Sequence, residues 1–198
     1  MKIICIENGY ASVGRPAEPI FYLKPDTALL RNNDPFYIPD FTRRIEYGCE
    51  LVVRINRVGK YIESRFAHRY YDEVGLGIGF TAADLLQRAE SEGLPWESAK
   101  SFDRSAALSP RFLPLAEAGD INALNFAMEV NGQIRQQGAT KDMQTTIDDI
   151  ISRVSRFMTL KMGDLIYTGT PCAAVTACEG DNVRGTLGGE ELMNFDIR

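Results

Sequence analysis

The sequence predicts a mainly β, mixed α+β domain. Three observations lead there. The apolar runs are short and rich in Val and Ile, the length of strands more than of helices. Turn pairs such as Asn131-Gly132 and Gly188-Gly189 separate the runs of the second half. Start and stop signals for a helix of several turns occur at only two places.

In chain order, Ile3-Ile-Cys-Ile6 reads as a short buried strand and 8–18, with Gly9, Gly14 and Pro16, as a loop. Ile20 to Lys24 is a strand ended by Pro25. Cys49 to Asn56 is the clearest strand, with Glu50 its one carboxylate. Phe66 to Val74 predicts a short helix that packs His68 beneath the neighbouring strand. The stretch Gly75 to Asp84 predicts a strand running into a helix near Thr81. Thr81 and Asp84 have the spacing of a capping box, and Gly93 is placed to stop the helix. Trp96 is a core candidate. The periodicity of Ile147, Ile150, Ile151, Val154 and Phe157 predicts a helix over 145–158, capped by Thr145 with Asp148. Strands are expected at about 124–130, 133–136, 164–168, 182–187 and 191–197.

Composition narrows the function. The chain has 198 residues, 44% hydrophobic, and a net charge of −5. That supports a sizeable core and offers no basic stripe for nucleic acid or an anionic membrane. No apolar run is long enough to span a bilayer or act as a signal peptide. Cys5, Cys49, Cys172 and Cys178 form no CxxC pair and His68 is the single histidine, which argues against structural zinc. The scattered thiols fit a reducing cytoplasm.

Three features are candidates for chemistry. A buried charge must be paired or bound to a cation, so Glu50 within an apolar strand is either an ion-pair partner or a ligand. Lys100 follows Gly93-Leu-Pro-Trp96, and a lone lysine is more often a solvated surface residue than a catalytic one. Thr168-Gly169-Thr170-Pro171 follows a strand, where a turn can aim N–H groups at an anion.

The order of these segments makes them specific. Phe21 to Pro25, Glu50 to Val53, Gly79 to Asp84, Gly93 to Asp103 (with Ala-Lys-Ser-Phe-Asp), Val130 to Gln136, Leu160 to Pro171 and Glu179 to Asp181 together resemble the fumarylacetoacetate hydrolase family, in its short acylpyruvase and oxaloacetate decarboxylase branch. The resemblance implies a β-roll with a few helices, usually homodimeric. It divides the chain into a shortened strand and lid remnant, 1–19, and a catalytic-type region, 20–198. It implies Mg²⁺ or Mn²⁺ held by three carboxylates, and cleavage, decarboxylation or isomerisation of 2-oxo acids through a metal-stabilised enolate. It gives Lys100 a catalytic role, and Lys24, Gly169 and Thr170 substrate contacts.

Several family positions are altered. The family's Glu-x-Glu ligand pair, which shares one strand face, is Gly48 and Glu50 here, and its aspartate ligand is Gly79. The arginine and glutamine that follow are Ala83 and Leu86, with Gln87 adjacent. The lid's Gly-x-Asn-Tyr is Glu7-Asn8-Gly9-Tyr10, and the short run 11–18 has no histidine. Glu46 lies on the face of Gly48 and Glu50, but a bulge at Gly48 is needed for it to reach. Two readings follow. In the first, the chain binds a small 2-oxo acid or dicarboxylate, holds metal weakly or not at all, and lacks family turnover, acting as a homodimer or as partner to an active relative. In the second, it is an active 2-oxo-acid hydrolase, decarboxylase or tautomerase with a reduced site.

Overall fold

The computed structural model describes residues 1–10 and 18–198, so most of the expected lid remnant lies outside the described residues. The strands are β1 (Ile3–Glu7), β2 (Ile20–Lys24), β3 (Leu29–Leu30), β4 (Ile45–Ile55), β5 (Tyr71–Ala82), β6 (Ala106–Leu108), β7 (Leu113–Pro114), β8 (Asn125–Val130), β9 (Gln133–Ala139), β10 (Leu165–Tyr167), β11 (Val175–Thr176), β12 (Asn182–Leu187) and β13 (Glu190–Asp196). The α-helices are α1 (Ser64–Ala67), α2 (Ala83–Glu92), α3 (Glu97–Lys100), α4 (Leu115–Ala118) and α5 (Ile147–Phe157). The fold is mainly β with few helices, as the sequence predicts.

The larger sheet runs β2-β1-β10-β4-β5-β6-β3, with β11 also on β4 and β7 also on β5. The smaller runs β13-β12-β8-β9. β4 and β5 are the long central pair, and alternation decides what each face does. On β4, Ile45, Tyr47, Cys49, Leu51, Val53 and Ile55 enter the main core with Val74, Leu76, Ile78 and Phe80 of β5. The opposite face carries Gly48, Glu50 and Val52 on β4, and Gly75, Gly77 and Gly79 on β5. There Val52 joins a second cluster with Ile3, Cys5, Phe112 and Tyr167. Among the described residues no helix is long and apolar enough to cross a membrane.

The strands expected after residue 124 form within a few residues of their predicted places. Asn131 and Gly132 have φ of 52° and 76°, and Gly188 and Gly189 59° and 87°. Such paired positive angles suit the twist of a tight hairpin. Gly93 stops α2 in the left-handed region at φ 66°.

Other expectations need correction. The helix over 66–74 is one turn, α1, and β5 begins at Tyr71 because Val74, Leu76, Ile78 and Phe80 alternate with glycines. His68 is an exposed C-cap beside Asp148, not a residue beneath the site strand. Thr81 does not cap α2; the N-cap is Ala82. Asp84 instead accepts from the Thr42 hydroxyl and the Arg43 N–H, pinning the segment before β4. The cap of α5 is shifted by one residue. The Asp149 N–H donates to Thr146 Oγ1 at 3.1 Å, and the Thr146 hydroxyl donates to Asp149 Oδ2 at 2.7 Å. Asp148 accepts from the Tyr71 hydroxyl. Phe157 is 65% exposed, and Trp96 is half-buried, not core.

Candidate functional site

A cleft of about 430 Å³ lies on the glycine-bearing face of β4 and β5. The end of β1, residues 6–10, and the turn 169–174 complete its walls, together with Tyr22, Leu86 and Lys100. The turn is set by glycine. Gly169 has φ 86°, and a Cβ there would stand 2.8 Å from the Ile6 carbonyl oxygen. The Thr168 hydroxyl donates to the Leu51 carbonyl, and Gly9 packs against Thr168 so closely that a Cβ would meet its carbonyl oxygen at 2.3 Å. Gln136 joins the other end of the turn to β4: it accepts from the Cys49 N–H and donates to the Ala173 carbonyl. Gln136 closes one of the matching segments, but nothing in its sequence context points to this role.

Glu50 is at the centre. It is 8% exposed, and its Oε2 accepts the Gly169 N–H at 2.7 Å. Burial pushes its carboxyl up to about 7. The Gly169 N–H opposes that shift, the Glu7 charge adds to it, and Lys24 and Lys100 oppose it. Gly169 therefore gives its N–H to Glu50, where a contact to substrate is expected. Thr170 lines the cleft as expected.

Lys100 ends α3 and is 7% exposed, so it is not a surface lysine. Its ammonium is ion-paired with Glu7 and lies 5.0 Å from the Tyr22 ring centroid and 5.8 Å from that of Trp96. Glu7 was missed as a site residue. Its one signal is a charge ending the apolar run Ile3–Ile6, at the altered lid motif. Lys24 is placed apart from these residues. It does not line the cleft; its ammonium is buried and donates to the Phe80 and Ser105 carbonyls at 3.1 and 2.7 Å. Burial lowers its pKa to about 8. Its role is to tie β2 to β5 and to the segment before β6. Asn8 Oδ1 is buried without a hydrogen-bond partner among the described residues, the Tyr10 hydroxyl has Thr168 near it, and both residues line the cleft. Buried polar atoms are rarely left without a partner.

The residues present do not fit a three-carboxylate metal centre. Among the described residues no group of three His, Cys, Asp or Glu could hold an ion. Gly48 pairs with Gly79 across the strands, and neighbours have filled both places. A Cβ at Gly79 would stand 2.5 Å from Glu50 Oε1, and one at Gly48 2.8 Å from Thr170 Cγ2. No bulge brings Glu46 in: the β4–β5 register is continuous from Ile45 to Val53, and Glu46 pairs with Arg44 at 3.4 Å. One buried carboxylate is a poor site for Mg²⁺, which demands near-octahedral oxygen ligands.

Comparison with known proteins agrees with the fold and the order of the motifs. Residues 5–195 match the family model for the fumarylacetoacetate (FAA) hydrolase C-terminal domain. The chain is 34% identical over 202 residues to the mitochondrial oxaloacetate tautomerase FAHD1 of Bos taurus, covering 99% of this chain and 91% of that protein. It is 34% identical over 198 residues to the oxaloacetate tautomerase YcgM of Escherichia coli K12, covering 96% and 90%. Among solved structures, the fumarylpyruvate hydrolase of Pseudomonas aeruginosa in complex with Mn²⁺ and pyruvate superposes with a TM-score of 0.92 at 28% identity, covering 100% of this chain and 89% of that one. The chain belongs to the fumarylacetoacetate hydrolase family.

Proposed function

We propose that the chain is a 2-oxo-acid tautomerase whose own side chains move the proton. The observation that carries this is the convergence of Glu50, Lys100, Thr170 and Tyr10 on one cleft. A 2-oxo acid places its carboxylate against the Thr170 and Tyr10 hydroxyls. Its 2-oxo oxygen faces the Lys100 ammonium. Glu50 takes a proton from the carbon next to the carbonyl, the C–H electron pair forms the C=C bond, and the carbonyl electrons move to oxygen. The enolate gains negative charge where Lys100 is positive. Glu50 then delivers the proton to that oxygen, and the enol leaves. The relatives named as oxaloacetate tautomerases support the reaction class. Since the donor set does not fit a divalent ion, no step is assigned to one.

The test follows exchange of the C3 protons of 2-oxobutanoate with deuterium by NMR, in chelator and again with Mg²⁺. Acceleration over buffer that needs no Mg²⁺ and falls at least ~100-fold in Glu50→Gln is expected. No acceleration in either condition would defeat the proposal. It would favour the other reading, a binding protein without turnover, which rests on Gly48 and Gly79 standing at ligand positions.

A further inference from the structure

The cleft contains a carboxylate that the family's motif does not provide for. Where Gly-x-Asn-Tyr begins with glycine, this chain has Glu7, and Glu7 is the acidic group paired with Lys100. Among the described residues, the rings of Tyr22 and Trp96 also lie beside the ammonium. Glu7 therefore stands where an anionic group of a ligand would meet Lys100. Among the described residues that line the cleft, Glu7 and Glu50 are the carboxylates nearest Lys100, and Glu46 is held by Arg44.

We propose that Glu7 sets the substrate class of this cleft: by holding Lys100 it excludes a second carboxylate, so the site takes 2-oxo acids with one carboxylate and a neutral tail. An ammonium has three N–H donors. With one given to Glu7, the rest can still meet a neutral carbonyl oxygen. A second carboxylate must displace Glu7 and then lie beside it, and like charges brought together in a partly desolvated site are strongly disfavoured. An uncharged tail meets no such opposition, and Ile6, Tyr22 and Leu86 offer it apolar wall. The inference rests on the reading of the cleft as a 2-oxo-acid site.

The test titrates 2-oxobutanoate and oxaloacetate, which share a four-carbon chain and differ in the terminal methyl or carboxylate, into the full chain by calorimetry. Wild type, Glu7→Gln, Glu7→Gly and Lys100→Met are compared, each checked for folding by circular dichroism. Wild type is expected to prefer 2-oxobutanoate. Both Glu7 variants should bind oxaloacetate about tenfold tighter or more, with 2-oxobutanoate changed by about twofold at most, and the Glu7→Gln gain should vanish in the Lys100→Met background. Wild type preferring oxaloacetate, or an unchanged ratio in both Glu7 variants, would overturn the inference alone. Binding with the expected ratios but no C3 exchange would overturn turnover alone. Failure of every form to bind either acid would overturn both.

Discussion

Replacing Glu50 with Gln should stabilise the protein, and the gain should depend on pH. The folded chain holds this carboxyl at about 7, against an ordinary value of 4.5, because burial penalises the charged form. Between those values the folded state binds more protons than the unfolded state, so stability falls as pH rises through the window. Each pKa unit is worth about 1.4 kcal/mol, and 2.5 units give roughly 3 kcal/mol of destabilisation above pH 7. Glutamine has no charge to bury, and its carbonyl can still accept the Gly169 N–H. The advantage of the variant should therefore grow from about 1 kcal/mol at pH 5 to about 2 at pH 6 and about 3 at pH 8, taking the low-pH difference as zero. For a domain of this size, 3 kcal/mol corresponds to a melting temperature about 6–12 °C higher. Urea unfolding of both proteins at pH 5, 6 and 8, with and without Mg²⁺, measures it. A stability difference that does not change from pH 5 to 8 would refute the reasoning, since it would mean that Glu50 ionises in the fold as it does in water. Loss of the pH dependence in Mg²⁺ alone would mean that a cation pairs with Glu50 after all.

Thr146→Ala removes the cap of α5 and should cost about 1 kcal/mol, read as a melting temperature about 2–4 °C lower; Thr145→Ala should change nothing measurable. Gly77→Ala places a Cβ 2.2 Å from Tyr167 Cε1 and 2.8 Å from Val52 Cγ2, inside a packed cluster. It should cost about 1–3 kcal/mol by urea unfolding. The triple change Gly48→Glu, Gly79→Asp, Ala83→Arg should bind Mg²⁺ more weakly by calorimetry than the same protein with Thr170→Ser, which lacks the methyl that crowds position 48. Equal affinities would show that Thr170 moves aside freely.

The elements legible in the sequence are those set by local rules. α5 follows from its apolar period, and the hairpin turns follow from Asn-Gly and Gly-Gly pairs whose backbone angles few other residues adopt. β5 was partly hidden for a physical reason. Its core face is strictly alternating, but the intervening positions are Gly75, Gly77 and Gly79, and glycine gives no polar or apolar signal. The cap of α5 is ambiguous by composition, because Thr145–Asp148 and Thr146–Asp149 have the same spacing. Tertiary structure decides it by engaging Asp148 with the Tyr71 hydroxyl.

The site divides differently. What had been lost was legible, since Gly48 and Gly79 stand at recognisable motif positions. What took the vacated space was not, because the replacements come from distant parts of the chain. Thr170 covers Gly48, the Glu50 carboxylate lies over Gly79, and the acid on Lys100 comes from 93 residues earlier. Such substitutions belong together. Without aspartate at 79 the Glu50 carboxylate can lie over the facing strand, and without a glutamate at 48 the Thr170 methyl can close down. Gly48 and Gly79 leave Glu50 as the one carboxylate at the family's ligand positions, and Glu7 adds a carboxylate beside Lys100. A loss of ligands alone would have left the acid selectivity of the cleft undirected. The addition of Glu7 gives it a direction, and for that reason the ratio of one-carboxylate to two-carboxylate binding says more about this protein than metal affinity does.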